Sequence, residues 1–418
     1  EIILKFYCNN NKLIKKKIFN QIKNQNELFI DQKFLDGYSG IGTFVIYHIP
    51  KDKEKLLRFN NRCYIGYKKD NSYSFVHGNT YVKGLEILSK KEKTGFVKQS
   101  LLLTIFSILK SFFNGLPFQT AIFTEFRAKK RVDNIIDIIK PDHIYCQLTR
   151  AAEYVKDRKE TKTIDYMDVF SKGMERRALK SNMFIKWFYK WESLKQKNYE
   201  KSIFELFNSH TIISEEDKKY IIHPNKDQIH VVPNGVDFNH FKPKNVKPKF
   251  DIVFVGNMGY APNVDAAIFL CHDILPKIHK KIPNTKILIA GAQPTVKVTN
   301  LESDYVEVSG WIEDIRKAYS ESKIFIAPMR MGTGLQNKLL EAMAMEKACI
   351  TTPIANNALQ APESTILVGE TAEELTQYCI HLIENESVRN KCAKEGRKFV
   401  EQTYKWTETT ERLNQLFL

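Results

Sequence analysis

One stretch near the end of the chain, residues 328–352, constrains the fold more than any other part of the sequence. It reads PMRMGTGLQNKLLEAMAMEKACITT, a pattern that predicts a strand, a glycine loop, a helix and a second strand. Gly332 and Gly334 supply positions where the backbone can take positive φ and approach a ligand closely. The predicted helix has one apolar face, formed by Leu335, Leu339, Ala342 and Met343.

The polar residues of the same stretch suit a nucleotide sugar. Lys338 and Glu341 are three residues apart, so both can reach one ligand from the helix. Loop amides and the positive end of a helix dipole attract phosphate, and a carboxylate one turn further in can accept hydrogen bonds from sugar hydroxyls. Two simpler interpretations also fit, because a glycine loop is often only a tight turn and LLEAMAM alone is typical of ordinary helix packing.

Arg330, the two glycines, Lys338 and Glu341 occur together and are followed by the strand KACITT. This combination resembles the donor-site signature of retaining glycosyltransferases of the GT-B fold, glycosyltransferase family four. It is most similar to a bacterial subgroup with the pattern R-x-G-x-G-x-Q-N-K-x-L-E-A-M-A. The resemblance implies an α/β protein of two Rossmann-like domains that face a cleft. It also implies a catalytic site of Arg330, Lys338 and Glu341, with Gly332, Thr333, Gly334 and Leu335 binding the donor.

One position departs from the family pattern. Many members have two glutamates eight residues apart in this loop, and here Glu341 is the second while Thr333 stands at the first. The hydroxyls of the donor sugar would then be held by Arg330 or by the amides of Gly332 and Gly334.

The rest of the C-terminal half predicts a doubly wound parallel sheet, because DIVFVGN, KILIAGA, YVEVSGW, KIFIAPM and KACITT alternate with helical segments. A second glycine loop, FVGNMGYAPN, follows the first of these strands. By the resemblance it binds the donor through Gly256, Asn257 and Gly259.

Two further expectations come from the family. Members often carry Arg and Lys in the second glycine loop, so here the positive charge would have to come from Arg330 and Lys338. The segment SGW resembles the family segment beside the nucleobase, which implies that Gly310 and Trp311 contact the base.

Composition and resemblance together predict the domain organisation. A Pro- and Lys-rich linker at residues 236–250 separates an N-terminal acceptor-side domain, residues 1–235, from a donor domain, residues 251–401. The string PNGVD just before this linker resembles the interdomain crossing of the same enzymes. The resemblance also implies that a C-terminal helix, about residues 402–418, crosses back to the N-terminal domain.

The N-terminal half is less informative. Residues 1–90 predict a local antiparallel meander, and no segment in them can be identified as the acceptor loop. Beyond them, the strands HIYCQLT and TIDYMDV alternate with helices, which predicts a parallel sheet whose ligands bind beyond the carboxyl ends of the strands. The acceptor-side candidates near such ends are Gln147, Arg150, Asp168 and Lys172, although each also fits a helix cap or a surface charge.

The formal charge of +16 is unevenly distributed. Residues 241–418 contain 22 basic and 21 acidic residues, net +1, and residues 1–240 contain 42 and 27, net +15. This asymmetry favours an anionic partner for the N-terminal half. The absence of any nucleic-acid-binding signature favours an anionic membrane surface over nucleic acid, and a lysine-rich compositional bias without a partner is the alternative. A helix with two tryptophans and several lysines, residues 183–207, fits either core packing or contact with anionic lipid.

Seven scattered cysteines with no C-x-x-C pair indicate a reducing compartment. No run approaches the ~20 apolar residues of a membrane span. We therefore expect a cytoplasmic protein, which could lie on the inner face of the cell membrane. We expect no cofactor. We also expect no metal, because no pair of carboxylates on a loop is available to hold one: Asp165 and Asp168 are predicted on opposite faces of a strand.

Together these features predict transfer of a sugar from a nucleotide-sugar donor to a glycan or lipid-linked acceptor in cell-surface polysaccharide synthesis. The nucleobase, sugar, acceptor, linkage and oligomeric state are not predicted. Two alternatives stay open: a nucleotide-sugar epimerase of the same architecture, and a non-catalytic membrane-associated homologue with a degenerate donor site.

Overall fold

The computed structural model describes residues 2–7, 13–19, 46–50, 63–69, 72–78, 85–88, 106–109, 111, 115–332 and 334–417. The chain divides into two compact units. The N-terminal unit comprises Glu1–Ile212, Lys218–Val231 and Asn414–Leu418, and the C-terminal unit comprises Ile213–Asp217 and Val232–Leu413.

The N-terminal unit contains two sheets. Its strands are β1 (Ile2–Tyr7), β2 (Leu13–Phe19), β3 (Ile46–Pro50), β4 (Cys63–Lys69), β5 (Ser72–Gly78), β6 (Leu85–Leu88), β7 (His143–Gln147), β8 (Thr161–Asp165), β9 (Ser209–Ile212) and β10 (Ile229–Val231). The larger sheet has the order β10-β9-β8-β7-β4-β5-β3, and the smaller has the order β2-β1-β6. Strands β7 to β10 run parallel. Strands β3, β4 and β5 pair antiparallel as predicted, but in the order β4-β5-β3, so they do not form the simple meander that the sequence predicted.

Helices surround the parallel part of this sheet. They are α1 (Phe118–Ile122), α2 (Phe126–Ile139), a 3-10 helix (Thr149–Tyr154), α3 (Phe170–Lys180) and α4 (Met183–Phe204). Helix α5 (Glu215–Tyr220) follows β9, and its first three residues belong to the C-terminal unit. The core between sheet and helices is apolar and includes Ile144, Cys146, Tyr154, Ile164 and Ile203. At the end of the chain, the Phe417 ring packs edge-on against His143, with ring centroids 4.8 Å apart, and against Tyr145 at 5.8 Å.

Strand β8 is shorter than the sequence predicts. The prediction extended it to Val169, but it ends at Asp165, because Met167 takes a left-handed conformation with φ +61° and turns the chain away from the sheet. The Met167 amide donates to Asp165 Oδ1 at 3.0 Å, which stabilises the turn. Asp168 therefore lies in a loop and not on the opposite face of a strand.

The C-terminal unit contains one parallel sheet of six strands, which confirms the prediction of an α/β architecture with parallel sheets. The strands are β11 (Phe250–Val255), β12 (Ile287–Ala290), β13 (Val306–Gly310), β14 (Ser322–Ala327), β15 (Ala348–Thr351) and β16 (Leu367–Val368). Their order is β13-β12-β11-β14-β15-β16. The central strands are almost continuously buried, as expected for a sheet with helices on both faces.

The helices of this unit are α6 (Ala261–Phe269), a π-helical turn (Leu270–Ile274), α7 (Leu275–His279), α8 (Val296–Thr299), α9 (Arg316–Ser320), α10 (Asn337–Ala344), α11 (Pro353–Leu359), α12 (Ala372–Glu384), α13 (Glu386–Thr403) and α14 (Trp406–Asn414). The predicted apolar face of α10 is confirmed, since Leu339, Ala342 and Met343 are fully buried. Leu335 is buried as well but precedes the helix.

The two ends of the C-terminal unit meet at a glycine. The Val236 amide donates to the Tyr404 carbonyl at 2.8 Å. A Cβ added to Gly235 would lie 2.7 Å from the Trp406 ring and 2.8 Å from its amide nitrogen, so a side chain at this position has no room. The glycine of PNGVD therefore permits close packing of the first residues of the unit against α14.

None of the described helices is long and apolar enough to cross a membrane.

Candidate functional site

The predicted donor loop connects β14 to α10 in the C-terminal unit. Gly332 has φ +121° and Gly334 has φ +75°, so both take the positive φ that the sequence predicted. Thr333 lies outside the described residues. Helix α10 begins at Asn337 directly after this loop, and its first turns carry Lys338 and Glu341.

Lys338 reaches back from α10 to the first strand of the sheet. Its Nζ donates to Asn263 Oδ1 and lies 5.1 Å from the centroid of the Phe254 ring. The residue as a whole is half-buried, but its ammonium is removed from water, and this burial lowers the pKa of Lys338 to about 7. An ammonium held in an apolar setting will bind an anionic ligand more strongly than a surface lysine would.

Glu341 lies one turn further along α10. It accepts a hydrogen bond from the hydroxyl of Tyr319, at 2.8 Å from Oε2, and Tyr319 itself is fully buried on α9. Burial raises the pKa of Glu341 to about 7, against the opposing effects of Tyr319 and Lys338. The tyrosine therefore fixes one carboxylate oxygen of Glu341.

The second glycine loop, after β11, is tied to Lys338 by one asparagine. Asn263 on α6 accepts from Lys338 and donates through Nδ2 to the Asn257 carbonyl at 2.9 Å. A Cβ on Gly256 would lie 2.7 Å from Asn263 Nδ2, so the glycine allows the asparagine side chain to cross. The Asn257 side chain caps the same loop by accepting from the Gly259 amide at 2.9 Å.

Arg330 is held by two residues one helical turn apart on α6. Its Nε and Nη2 donate to the two carboxylate oxygens of Asp265, at 3.0 and 2.7 Å. Its guanidinium also lies 4.2 Å from the centroid of the Phe269 ring. The charge of Arg330 is therefore already paired with a carboxylate, whereas the hydrogen-bond acceptors of Lys338 among the described residues are neutral.

Three neighbouring strands of the sheet end in glycine. Gly256 follows β11, Gly291 follows β12 and Gly310 ends β13. The Gly291 amide donates to the Gly310 carbonyl at 2.9 Å, and the Gly256 amide donates to the Ala290 carbonyl at 3.0 Å. Gly291 has φ +139°, and a Cβ there would lie 1.8 Å from the Gly256 carbonyl oxygen. These glycines form a backbone edge without side chains, and half-buried Trp311 directly follows it.

The structure thus connects Lys338 to the second glycine loop and places Glu341 beside it. The sequence analysis assigned no role to four residues that complete this arrangement: Asn263, Asp265, Gly291 and Tyr319. Asn263 had one sequence signal, since the family resemblance leads one to expect Arg and Lys in this loop, where Pro262 and Asn263 stand instead. Asp265 and Tyr319 had none, because their partners lie 65 and 22 residues away in the chain.

The acceptor-side candidates lie in the N-terminal unit. Gln147, at the end of β7, donates through Nε2 to Asp165 Oδ2 at 3.1 Å. Its own Oε1 is buried without a hydrogen-bond partner among the described residues. The Tyr145 hydroxyl also donates to Asp165 Oδ2, at 2.6 Å. Burial raises the pKa of Asp165 despite these bonds.

The other three candidates have different surroundings. Arg150 lies between the rings of Phe123 and Phe170, with its guanidinium 4.5 and 4.9 Å from their centroids. Lys172 forms an ion pair with Glu175 at 2.8 Å. Asp168 follows the Met167 turn and is half-buried. Gln147 Oε1 and Arg150 Nε are buried side-chain atoms without a hydrogen-bond partner among the described residues.

Among the residues that the structure describes, no three histidine, cysteine or acidic side chains come together as ligands for a metal ion.

Comparison with known families identifies the C-terminal unit. Residues 249–385 match the family described as glycosyl transferases, group 1. This segment runs from β11 to α12 and contains both glycine loops, Lys338 and Glu341.

Two curated relatives are similar over longer stretches. An uncharacterized glycosyltransferase of Methanocaldococcus jannaschii is 22% identical over 236 residues, which cover 52% of this chain and 60% of the relative. An uncharacterized 44.6 kDa protein in the cps region of Klebsiella pneumoniae is 23% identical over 354 residues, covering 78% of this chain and 86% of the relative. The chain therefore spans less than two thirds of the archaeal relative's length.

Solved structures with the same fold are more distant in sequence. Sucrose-phosphate synthase from Thermosynechococcus elongatus aligns with a TM-score of 0.57 at 15% identity, covering 69% of this chain and 76% of that protein. HepE from Anabaena, solved in complex with UDP and glucose, aligns with a TM-score of 0.53 at 12% identity, covering 69% and 81%. These alignments show that the chain has the same fold as both proteins.

Proposed function

We propose that this chain, a GT-B fold protein with a group 1 glycosyltransferase domain, transfers a sugar from a nucleotide-sugar donor to a glycan or lipid-linked acceptor. In this proposal the donor binds against the two glycine loops of the C-terminal unit. HepE, which has the same fold, was solved with UDP and glucose, and this supports a nucleotide-sugar donor here.

The observation that carries the proposal is the pairing of Lys338 and Glu341 on α10 beside two backbone loops. Lys338 Nζ is joined to the second glycine loop through Asn263, and Glu341 is fixed by Tyr319. A diphosphate needs positive charge and amide donors, whereas a ribose needs a hydrogen-bond acceptor. In this proposal Lys338 binds the diphosphate and Glu341 binds the ribose hydroxyls.

The chemistry that follows is stabilisation of a leaving nucleoside diphosphate. Charge develops on the leaving phosphate as the glycosidic bond to it breaks, and a nearby ammonium and oriented amides stabilise that charge. We assign this role to Lys338 and to the amides of Gly332 and Gly334. Arg330 keeps a catalytic role in the proposal if the arriving diphosphate competes with Asp265 for its guanidinium.

Several finer features belong to the same proposal. We infer a metal-independent reaction with retention of anomeric configuration, a place in cell-surface polysaccharide synthesis and a cytoplasmic protein at the membrane surface. The relative from the cps region of Klebsiella pneumoniae supports the pathway assignment, and the resemblance of the donor loop to family four supports retention. The domain limits proposed for this activity are residues 1–235, 236–250 and 251–401.

Calorimetric titration with UDP, GDP, ADP and CDP, with EDTA present, tests the donor site. We expect one nucleotide to bind selectively. Replacing Glu341 with Ala should weaken that binding at least about tenfold, because a hydrogen bond to a charged group contributes about 1.5–3 kcal/mol. A suitable control is Glu346→Ala, which removes a carboxylate just beyond α10. Unchanged affinity in Glu341→Ala would disprove the ribose assignment.

Product analysis then separates transfer from the two alternatives. A transferase forms a glycoside only when an acceptor is present, whereas an epimerase converts one nucleotide sugar into another without any acceptor. If none of the four nucleotides binds, the donor site is degenerate and the proposed activity is wrong.

A further inference from the structure

The hairpin of α3 and α4 in the N-terminal unit exposes several large apolar side chains, although part of its inward face is polar. The inward face of α4 carries four buried polar residues, Glu192, Ser193, Gln196 and Glu200, and becomes apolar only near its end, at Tyr199, Ile203 and Phe204. An ordinary surface helix has apolar residues inward and polar ones in water along its whole length. The outward face of this helix therefore requires an explanation.

The buried carboxylates of α4 accept hydrogen bonds from the starts of two other helices in the unit. The two Glu192 carboxylate oxygens accept from the amides of Phe118 and Gln119, each at 2.9 Å, and so cap the start of α1. Glu200 accepts from the amide and the hydroxyl of Ser171, at 3.1 and 2.6 Å, at the start of α3. These bonds fix the rotation of α4 about its axis, so the apolar side chains on the other face must point outward.

The exposed apolar side chains occur around the turn between the two helices and along the first three turns of α4, a region that we call the hairpin tip. Met183, Trp187 and Leu194 follow each other along one stripe of α4, at i, i+4 and i+11. The exposed fractions of the tip residues are 70% for Leu179, 79% for Met183, 46% for Ile185, 70% for Trp187 and 60% for Leu194. Large apolar side chains exposed together in this way indicate an interaction surface.

The surroundings of the tip are strongly basic. Residues 172–197 contain eight Lys and Arg residues and only two acidic ones, Glu175 and Glu192. Glu192 is buried in its capping role, and Glu175 is paired with Lys172 and Lys197. Lys190 lies on the outer stripe between Trp187 and Leu194 and is exposed.

We propose that the hairpin tip docks on the surface of an anionic lipid bilayer. Apolar and tryptophan side chains enter the interface between headgroups and acyl chains, while lysines around them bind anionic headgroups. A second copy of this chain is a poorer occupant, because two surfaces with the same positive charge repel each other. The inference does not depend on transferase activity, although it would bring the enzyme to a lipid-linked acceptor.

Sedimentation of the full chain with lipid vesicles tests this inference. We expect binding to vesicles of equal parts phosphatidylcholine and phosphatidylglycerol, weaker binding to phosphatidylcholine alone, and loss of binding as salt is raised. Tryptophan fluorescence should shift to the blue and be quenched by brominated lipid, and Trp187→Phe should remove most of the quenching.

Two variants separate the apolar from the electrostatic contribution. Met183→Ser with Trp187→Ser should lower the partition coefficient at least about tenfold, and Lys190→Gln should lower it about fivefold. The matched controls are Val296→Ser, an exposed apolar residue of the C-terminal unit, and Lys201→Gln, three turns further along the same helix. Both controls should bind vesicles like the unaltered protein.

Three results would overturn the inference: equal binding to both kinds of vesicle, unchanged binding of the tip variants, or a dimer in solution that the Met183→Ser, Trp187→Ser variant converts to a monomer. Far-UV circular dichroism and thermal unfolding of the same variants should match those of the unaltered protein, which shows that the N-terminal unit is folded, and their nucleotide affinity should stay unchanged. Failure of the donor-site proposal would instead remove nucleotide binding and leave vesicle binding intact.

Discussion

Lys338 and Glu341 illustrate how burial sets the properties of single residues. Both groups lose hydration on α10, so the pKa of the lysine falls to about 7 and the pKa of the glutamate rises to about 7. Each therefore changes charge near neutral pH, whereas exposed lysines and glutamates do so several pH units away. A ligand that carries negative charge beside Lys338 will shift this balance.

Nucleotide binding should consequently weaken as the pH rises above neutrality. Above pH 7 free Lys338 loses its proton, and a bound diphosphate restores it, so binding should take up a proton. The affinity should then fall by about tenfold for each pH unit above about 8. The phosphate itself is fully ionised in this range, because its second pKa is about 6. Calorimetry in buffers of different ionisation enthalpy measures the proton uptake directly.

Lys338→Arg is the control for this pH dependence. Arginine stays charged, so the variant should bind with an affinity that is constant between about pH 8 and 9, where Glu341 is ionised, even if its absolute affinity is lower. A falling limb that persists in Lys338→Arg would assign the pH dependence to another group. Below pH 7 protonation of Glu341 should weaken binding in both proteins, because the ribose loses its charged acceptor.

At the scale of elements, the site depends on strand ends where the backbone comes close to other backbone. Strands β11, β12 and β13 each end at a glycine, and Gly291 almost touches the Gly256 carbonyl. Parallel strands bring their carboxyl ends to one edge of the sheet. Glycines at that edge leave main-chain groups accessible to a ligand.

Gly291→Ala should therefore destabilise the C-terminal unit severely. Its Cβ would lie 1.8 Å from a backbone oxygen and φ is +139°, so the free energy of unfolding should fall by at least about 4 kcal/mol. Gly310→Ala is the matched control, since φ is +63° and no heavy atom lies within 4 Å of the added Cβ; it should cost only about 1–2 kcal/mol. Thermal unfolding followed by circular dichroism compares the two, and equal losses would contradict the steric explanation.

The sequence predicted most of the helices and strands near the site, but it did not predict which distant side chains form pairs. Periodicity located five of the six strands of the C-terminal sheet and missed the two-residue strand β16. The spacing of Lys338 and Glu341 placed both on one helix. The sequence could not pair Arg330 with Asp265 or Glu341 with Tyr319, because such pairs depend on how distant helices pack. It also extended β8 to Val169, since nothing in TIDYMDV signals that Met167 will take a left-handed backbone.

For the whole molecule, the division into two units separates two physical tasks. The described contacts of the donor site all join residues between Phe254 and Glu341, within the C-terminal unit. The N-terminal unit carries the net positive charge and the hairpin tip. Donor binding and surface attachment should therefore be separable by experiment.

A fragment of residues 232–413 tests this separation. It contains the complete six-stranded sheet and its helices, and a domain with its own core can fold alone. We expect it to bind the same nucleotide as the full chain, with an affinity within about threefold, and not to sediment with anionic vesicles. If the folded fragment does not bind nucleotide, the N-terminal unit must contribute directly to the donor site.

The position of Phe417 also bears on biosynthesis. Its ring packs on His143 and Tyr145 of strand β7, yet about 270 residues separate these partners in the chain. Domains generally fold as they leave the ribosome, the N-terminal one first. Here the contacts of Phe417 with strand β7 of the N-terminal unit can form only after the C-terminal unit has been synthesised. The final packing of the N-terminal unit therefore takes place late in translation.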